Sequence, residues 1–282
     1  MNVRVQAEKA ERFRKLHHGP RMLLLPNAWD VASARILEEC GHPAIATTSA
    51  GIAYSLGYSD GQRISRGEML EVVGRIARAV RIPVTADLEA GYGTTPKDMA
   101  ETVQAAIEAG AIGMNLEDVT GDDESSQVAL PLQVEAIRAI RETAKSLGVP
   151  FVLNARTDIY LMPIGPEPTR FERTVERLRA YRDAGADCLF TPGLYDRDTI
   201  AKLVKAVDTP LNILANPACP PLAELEKIGV ARVSAGSGIM RAAMGTVQRI
   251  GKEMLEERSC DTMFAGATPF IELKRMMTRQ PS

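Results

Sequence analysis

The sequence predicts an α/β protein with a (β/α)8 TIM barrel, in which eight parallel strands are each followed by a helix. Short apolar segments alternate with amphipathic segments along the chain, and eight of the apolar segments have the length of a strand. The rival fold, a doubly wound open sheet, favours a G-x-G-x-x-G turn after its first strand, and LLLPNAWD contains none. A chain of 282 residues is long enough for one such barrel.

The predicted strands are apolar enough to be buried on both faces, as the strands of a parallel sheet are. In chain order they are MLLLPN (22–27), AIATTS (44–49), PVTADLE (83–89), IGMNLED (112–118), FVLNART (151–157), CLFTPG (188–193), LNILAN (211–216) and ARVSAG (231–236). Because parallel neighbours need a crossover connection, we expect the segments between them to be helical.

Helix signals lie in those connecting segments. One helix is predicted to begin after Ser65, which has the spacing of a capping box with Glu68. The next has Thr95 as its cap and Gly110 as its terminator. The predicted helices after strands two to seven span residues 65–80, 95–110, 130–148, 173–186, 196–207 and 220–229.

We expect a single domain over residues 1–282, because no linker or change of composition divides the chain. An N-terminal helix is expected over residues 1–20 and a C-terminal helical extension over about residues 255–282. The extension carries apolar residues that need covering, by a neighbouring subunit or by their own barrel: Met263, Phe264, Phe270, Leu273, Met276 and Met277.

The composition is that of an ordinary globular protein, with 45% hydrophobic and 25% charged residues. A net charge of −2 gives no basic footprint for nucleic acid or acidic membranes. No apolar run approaches the roughly 18 residues of a membrane span, and the N-terminus lacks the apolar core of a signal peptide. The four cysteines have no metal-type spacing and indicate reduced thiols. We therefore expect a cytoplasmic protein with no nucleic-acid or membrane partner.

Acidic residues gather at the predicted carboxyl ends of the strands, where barrels place their chemistry. Asp60 lies in the loop after strand two, Asp87 and Glu89 end strand three, and Glu117 ends strand four. A strand's period of two directs Asp87 and Glu89 to one face, where like charges need a cation between them. An all-oxygen cluster suits Mg²⁺ or Mn²⁺ holding several waters. The alternative is that these acids are solvated loop residues or pair with arginines at the rim.

Other polar residues at strand ends are candidates for binding a substrate. They are Ser49, Ala50 and Gly51 after strand two, Arg156 at the end of strand five, and Asn212 and Asn216 on strand seven. The SAGSG turn after strand eight, residues 234–238, is either an anion pocket of backbone N–H groups or an ordinary small-residue turn.

Three other chemistries lack the residues that they need. A zinc hydrolase on this fold wants histidine ligands at strand ends, but His17, His18 and His42 all lie at or before the second strand. A Schiff-base aldolase wants a lysine inside the barrel, but every lysine falls in a predicted helix or the N-terminal segment. A Ser–His–Asp triad has no candidate histidine. Metal catalysis with oxygen ligands is the chemistry that remains.

The chain resembles the isocitrate lyase / phosphoenolpyruvate mutase superfamily over nearly its whole length. The segments that carry the resemblance are SLGYSDG, NLED, NART and ADLEAGYG, the last matching the family's D-x-D-x-GYG with Glu89 where the family usually has Asp. The resemblance implies a Mg²⁺ enzyme that binds a small anionic 2-oxo acid or its enolate. It also implies that Asp87 binds the metal directly, while Asp60, Glu89 and Glu117 hold its waters.

The resemblance further implies how a substrate is held. The backbone of residues 49–51 would cradle its carboxylate, and Arg156 would pair with that carboxylate. We take Asp60, Glu117 and Arg156 as the catalytic residues. The family's tail implies helices exchanged between subunits, in a homo-oligomer built as a dimer of dimers.

The loop after strand four departs from the family. Family lyases carry K-K/R-C-G-H there, with the cysteine as proton donor, and the phosphonate mutases carry a lysine and an asparagine. Here the loop is DVTGDDESSQVALP, residues 118–131, which contains no Cys, His, Lys or Asn. The proton donor is therefore unassigned, with Tyr58, Tyr92 and Asp118 as candidates.

The sequence thus predicts a Mg²⁺-dependent lyase that cleaves a carbon–carbon bond of a small 2-oxo or 2-hydroxy dicarboxylate through an enolate. One alternative is a mutase or hydrolase acting at the P–C bond of a phosphonate, against which the missing loop lysine argues. The other is a protein that binds a 2-oxo acid at the family's metal site without turnover.

Overall fold

The computed structural model describes residues 3–120 and 127–278 of the chain. The described strands are β1 (Leu23–Leu25), β2 (Asn27–Ala28), β3 (Ile45–Thr47), β4 (Val84–Asp87), β5 (Gly113–Leu116), β6 (Val152–Arg156), β7 (Cys188–Phe190), β8 (Leu211–Leu214) and β9 (Arg232–Ser234). Their order in the sheet is β1-β9-β8-β7-β6-β5-β4-β3-β2, with every pair of neighbours parallel. These nine strands form a nearly closed barrel, which confirms the predicted fold.

The first predicted strand is divided at Pro26, which is why the sheet has one strand more than expected. Proline has no N–H to donate to a ladder, so a strand running through it is interrupted. Before the proline, Leu23 of β1 is in register with Arg232 of β9. After it, Asn27 of β2 is in register with Ala46 of β3. The divided strand therefore brings the two ends of the sheet together.

The helices cover the outside of the barrel and follow the predicted pattern, except that residues 49–51, predicted as a strand end and a turn, begin a helix capped by Thr48. They are α1 (Val3–Leu16), α2 (Val31–Glu39), α3 (Ser49–Ser55), α4 (Arg66–Ala79), α5 (Pro96–Ala109), α6 (Leu130–Ser146), α7 (Arg170–Asp183), α8 (Arg197–Val207), α9 (Leu222–Lys227), α10 (Gly238–Glu256), α11 (Asp261–Ala265) and α12 (Phe270–Thr278). Ser65 and Glu68 form the expected capping box of α4. Thr95 caps α5, which ends at Gly110 in the left-handed conformation with φ of +102°.

Helix α1 packs against the amino-terminal end of the barrel. Gln6 Nε2 donates to the carbonyls of Ile107 and Ala111, both at 2.8 Å, where α5 leads into β5. Phe13 is fully buried, and the edge of the His17 ring meets it with 4.8 Å between the ring centroids. This end of the barrel is therefore sealed, and the opposite end carries the predicted acids.

The C-terminal helices lie outside the barrel. Helix α12 contacts α2 of its own chain, where Arg35 Nη1 donates to the carbonyl of Met276 at 3.2 Å and Arg275 pairs with Glu39. Three apolar side chains of this tail are 72%, 80% and 74% exposed: Phe264, Phe270 and Ile271 respectively. The tail is therefore anchored on its own barrel at Met276 while most of its apolar surface is exposed.

The four cysteines are free thiols, as the sequence indicated. None of the described helices is both long and apolar enough to cross a membrane.

Candidate active site at the carboxyl ends of the strands

Asp87 is held by Asn115 on the neighbouring strand, and Asn115 is held in turn by Asn154 on the strand beyond it. The register places Asp87 opposite Asn115 of β5, and Asn115 opposite Asn154 of β6. Asn154 Nδ2 donates to Asn115 Oδ1 at 2.7 Å, and Asn115 Nδ2 donates to Asp87 Oδ1 at 3.2 Å. This chain of amides fixes the position of a carboxylate that is only 8% exposed.

Ser49 binds the other oxygen of the same carboxylate. Its backbone N and its Oγ donate to Asp87 Oδ2 at 3.0 and 2.8 Å. The backbone N of Gly51 donates to Thr48 Oγ1 at 3.3 Å, which caps α3. A Cβ at Gly51 would lie 2.6 Å from Thr48 Cγ2, so the helix needs glycine there. Two amides of the expected carboxylate cradle, residues 49–51, are therefore engaged within the protein.

Glu89 lies in a turn and not on the strand, which corrects the sequence argument. Strand β4 ends at Asp87, and Glu89 has a left-handed φ of +52°, so the period of two does not extend to it. Its carboxylate accepts hydrogen bonds from the backbone N of Gln62 and, at 3.3 Å, from Tyr92 Oη. Burial, together with the negative charges of Asp87 and Asp60, raises the pKa of Glu89 to about 7. The two acids are thus electrostatic neighbours, as predicted, through a different backbone path.

Asp60 lies on the exposed loop between α3 and α4. Its negative charge raises the pKa of Glu89. Gln62, on the same loop, was not identified from the sequence, although its side-chain oxygen accepts from the Tyr92 backbone N at 2.8 Å. The only sequence signal for it is its position two residues after Asp60 in the SDGQ segment.

Glu117 and Arg156 form an ion pair across the ends of β5 and β6. Arg156 Nη1 lies 2.6 Å from Glu117 Oε1, and Arg156 Nε lies 2.7 Å from Asp158 Oδ1. Its guanidinium also lies over the Phe190 ring, 5.6 Å from the centroid. Burial raises the pKa of Glu117 well above its usual value, although Arg156 opposes that shift. The pKa of Arg156 is lowered by burial, but Asp158 and Glu117 more than offset that effect and keep it ionised.

The two asparagines predicted on strand seven lie apart from this cluster. Asn212 is fully buried inside the barrel, where its Nδ2 lies 3.1 Å from Ser234 Oγ. Asn216 is exposed in the turn after β8, where its Oδ1 accepts from the backbone N of Ala218 at 2.9 Å. Both are held by partners outside the acidic cluster.

The SAGSG turn is built as a joint of the barrel. The backbone N–H groups of Ala235 and Gly236 both donate to Asn27 Oδ1 at 2.9 Å. Asn27 belongs to β2, so this contact ties the turn after β9 to β2. These two amides are engaged, and the interpretation as a structural turn is favoured over an anion pocket.

The three candidate proton donors have different surroundings. Asp118 is fully buried and pairs with Arg177 at 2.7 Å. Tyr58 Oη donates to Glu68 Oε1 at 3.0 Å on the exposed surface. Tyr92 Oη donates to Glu89, one of the candidate metal-binding acids, at 3.3 Å. The acidic part of the loop at Asp122, Asp123 and Glu124 lies outside the described residues.

Asp60, Asp87, Glu89 and Glu117, together with Arg156, are called the acidic mouth below. A parallel barrel with charged side chains gathered at the carboxyl ends of its strands is the arrangement of a (β/α)8-barrel enzyme. The comparisons with known proteins agree with this class. The sequence model of the family described as phosphoenolpyruvate phosphomutase matches residues 13–255.

Individual relatives narrow the class. The 2-methylisocitrate lyase of Bacillus subtilis is 30% identical over 217 residues, which cover 75% of this chain and 68% of that one. A solved structure from Burkholderia cenocepacia, provisionally assigned as a lyase or mutase, is 40% identical with a TM-score of 0.91 over 98% of both chains. Oxaloacetate acetylhydrolase in complex with its product oxalate is 26% identical with a TM-score of 0.82, over 95% of this chain and 93% of that one. The protein therefore belongs to the phosphoenolpyruvate mutase / isocitrate lyase superfamily, whose members are carbon–carbon bond lyases and phosphoenolpyruvate mutases.

Proposed function

We propose that this enzyme is a Mg²⁺-dependent lyase that cleaves a carbon–carbon bond of a small 2-oxo or 2-hydroxy dicarboxylate. The observation that carries the proposal is that a positively charged side chain and a carboxylate, each held by hydrogen bonds, lie at the carboxyl ends of strands in the same barrel. Arg156 at the end of β6 offers a guanidinium to a substrate carboxylate, and Asp87 at the end of β4 offers a carboxylate to a metal ion. A 2-oxo acid carries a carboxylate, which Arg156 would bind, and a 2-oxo oxygen, which a metal ion held by Asp87 would bind.

The residues of the acidic mouth fit a hard divalent ion. All the candidate donors are carboxylate oxygens, which Mg²⁺ and Mn²⁺ prefer. Among the described residues, no three acidic, histidine or cysteine side chains approach closely enough to be direct ligands of one ion. Mg²⁺ usually keeps several waters and takes only one or two protein carboxylates as direct ligands. We propose that Asp87 is the direct ligand and that the ion's waters are bound by Asp60, Glu89 and Glu117. The raised pKa of Glu89 supports the fit, because a cation would relieve the repulsion that raises it.

When bound, Mg²⁺ would act as a Lewis acid that stabilises the negative charge developing on the 2-oxo oxygen of the substrate. The chain's own residues supply the remaining functions. Arg156 binds the substrate carboxylate and is oriented by Glu117 and Asp158. Asn115 and Ser49 hold Asp87 in one orientation, so that little reorganisation accompanies binding. Tyr92, of the candidate donors, is the one placed to exchange a proton near the mouth.

The named relatives support a reaction at a small organic acid. They include 2-methylisocitrate lyase, oxaloacetate decarboxylase from Bradyrhizobium diazoefficiens at 28% identity, and the oxaloacetate acetylhydrolase described above. The principal rival is a reaction at the P–C bond of a phosphonate. A second Burkholderia cenocepacia structure, 41% identical with a TM-score of 0.82 over 87% of this chain and 99% of that one, is provisionally assigned as a phosphonomutase and favours it. A third hypothesis is that the protein binds a 2-oxo acid without turnover.

We also propose a single-domain cytoplasmic protein that assembles as a dimer of dimers. The exposed apolar side chains of Phe264, Phe270 and Ile271 support assembly, because burying them between subunits would be favourable. Light scattering on the purified chain measures the mass directly. Phe270→Asp and Ile271→Asp are expected to lower the mass of the assembly, since charges there would oppose burial.

The function is tested by titrating the protein with oxaloacetate, pyruvate, 2-oxoglutarate and phosphonopyruvate, with and without Mg²⁺, in a calorimeter while each mixture is assayed for product. The proposal predicts Mg²⁺-dependent binding and cleavage of an oxo acid. Turnover of phosphonopyruvate alone would favour the P–C reaction, and binding without product would favour a non-catalytic protein. Absence of all binding with metal present would overturn the assignment of the site.

A further inference from the structure

We infer that Arg177, acting through Asp118 and Asp158, is a positioning residue for Arg156. The inference rests on the proposed function only in naming Arg156 as the group that binds the substrate carboxylate. Arg177 lies on α7, and no motif that carries the family resemblance includes it.

An ion pair followed by two hydrogen bonds joins the two arginines through Asp118 and Asp158. Arg177 Nε lies 2.7 Å from Asp118 Oδ2. Asp118 Oδ1 accepts the backbone N–H of Asp158 at 3.0 Å. The side chain of Asp158 then accepts from Arg156 Nε at 2.7 Å. Arg177 thus holds Asp118, Asp118 holds the backbone of Asp158, and the side chain of Asp158 holds Arg156.

The path starts from a cluster that has little freedom to move. Asp118 is fully buried and Arg177 is 9% exposed. Tyr181, one turn along α7, donates to Asp118 Oδ2 at 2.8 Å and accepts from Arg177 Nε at 2.9 Å. Two donors from one helix therefore clamp one oxygen of the carboxylate and leave the other to the Asp158 backbone. A buried carboxylate with charged and neutral partners of this kind is well suited to transmit a fixed geometry.

Asp118 also forms hydrogen bonds to Gln127 and Val128, which follow the loop after β5. Gln127 Nε2 lies 3.3 Å from Asp118 Oδ2, and the backbone N of Val128 donates to the Asp118 carbonyl at 2.8 Å. Arg177 Nη2 donates to the Val128 carbonyl at 2.6 Å. Arg177 thus links the backbone beside the mouth with the residue that orients Arg156.

The inference is tested on the full chain by following the Arg156 side chain itself. Arginine-selective ¹⁵N labelling in a deuterated background gives the exchange rate of the Arg156 Nε–H, and Arg156→Lys identifies the signal by its loss. Arg177→Gln is expected to speed that exchange by at least about tenfold, because the Asp158 acceptor is no longer held. Tyr181→Phe, which keeps the shape of the core, is expected to speed it by a smaller factor. Arg177→Lys, which keeps the charge, is expected to restore part of the protection.

The matched control is Arg182→Gln, which removes an arginine of the same helix that pairs with Asp183 at 2.8 Å. It should leave the Arg156 signal unchanged. Equilibrium titration with oxalate and Mg²⁺ gives a second measure, in which Arg177→Gln should weaken oxalate binding by about tenfold, as expected for a displaced carboxylate-binding group. If Arg156 exchange is unchanged in both Arg177→Gln and Tyr181→Phe, the inference is wrong, whatever happens to turnover. If exchange changes but neither wild type nor variant binds oxalate, the coupling stands and the proposed function fails.

Discussion

Arg156 reaches from the end of β6 to Glu117 at the end of β5, with 2.6 Å between Nη1 and Oε1 and side chains that are 16% and 13% exposed. An ion pair this buried is costly to break, because the surviving charge is left without a partner. Arg156 is also the group that we propose binds the substrate carboxylate. The pair therefore links the stability of the protein to the anion binding that we propose for Arg156.

Replacing Arg156 tests both consequences. Arg156→Gln is expected to lower the free energy of unfolding at pH 8 by about 3 kcal/mol, since Glu117 would stay buried without its cation. The double variant Arg156→Gln, Glu117→Gln should recover much of that loss, because no unpaired charge remains. Urea denaturation measures the stability, and oxalate titration with Mg²⁺ should show about a hundredfold weaker binding in both variants. Tight oxalate binding by the single variant would show that Arg156 is not the carboxylate site.

Asp87 is the residue on which metal-dependent binding should depend most. Asp87→Ala removes the carboxylate and is expected to abolish detectable Mg²⁺-dependent oxalate binding in calorimetry. The matched control is Asp98→Asn at the start of α5, whose carboxylate accepts from Thr95 Oγ1 at 2.8 Å in the capping box of that helix. That variant should lose about 1 kcal/mol of stability, as caps do, with binding unchanged. Equal loss of binding in both variants would point to unfolding and not to a metal site.

The fold could be predicted from the sequence because local signals and burial agree along the whole chain. The capping residues Ser65 and Thr95 were each followed by a helix, and Gly110 ended its helix as expected. The division of the first strand at Pro26 was not predicted, although proline lacks the backbone N–H donor that a continuous ladder needs. Strand number was thus less predictable than strand position.

The positions of the candidate site residues along the chain follow from the strand ends, but the contacts between their side chains do not. Asp87 and Glu117 lie where the strand-end argument placed them. Glu89 reaches the site from a left-handed turn, which the period of a strand does not describe. Arg177 could not be identified, because its partner Asp118 lies 59 positions earlier in the chain and only the packing of α7 brings them together. Long-range side-chain pairs carry no local sequence pattern.

Gly91 sets the turn that carries Glu89 and Tyr92. Its φ is +90°, and an added Cβ would lie 2.5 Å from Met99 Sδ and 3.2 Å from Leu116 Cδ1. Gly91→Ala is therefore expected to cost about 2 kcal/mol of stability through backbone strain and crowding. The control Gly67→Ala lies in helix α4, where the nearest atom to an added Cβ is Ser65 Oγ at 4.0 Å. It should be neutral or stabilise by up to about 1 kcal/mol in denaturant unfolding. A neutral Gly91→Ala would show that the turn adapts.

His17 should make stability fall at acidic pH. Burial lowers the pKa of His17 to about 3, so the folded protein binds this proton less well than the unfolded chain. Stability attributable to His17 is then fully present above about pH 6.5 and decreases as the pH falls toward 3, by at most about 1.4 kcal/mol per pH unit. His17→Leu should flatten this dependence in denaturant unfolding between pH 4 and 7, whereas His18→Leu, at an exposed position, should not. Identical slopes in the two variants would rule out His17 as the source.

Glu89 should make the stability of the protein fall as the pH rises, which is opposite to the effect of His17. Because its pKa is raised to about 7, the folded protein holds this proton more tightly than the unfolded chain between about pH 4.5 and 7. The free energy of unfolding of the metal-free protein should therefore decrease as the pH rises through that window, by about 3 kcal/mol in total from this residue. Glu89→Gln should remove the decrease, while Glu71→Gln, at a side chain that is 61% exposed, should retain it.

Mg²⁺ turns the same measurement into a test of the metal site. A cation in the acidic mouth favours the ionised form of Glu89, so saturating Mg²⁺ should reduce the loss of stability that the wild type shows between about pH 4.5 and 7. Mg²⁺ should therefore stabilise the protein more at pH 8 than at pH 5. In Glu89→Gln the stabilisation by Mg²⁺ should be smaller at pH 8, since one carboxylate that holds the ion's waters is gone. Denaturant unfolding of both proteins at the two pH values, with and without Mg²⁺, provides all the comparisons. Stabilisation by Mg²⁺ that is the same at pH 5 and pH 8 and unaffected by Glu89→Gln would place the ion away from this carboxylate.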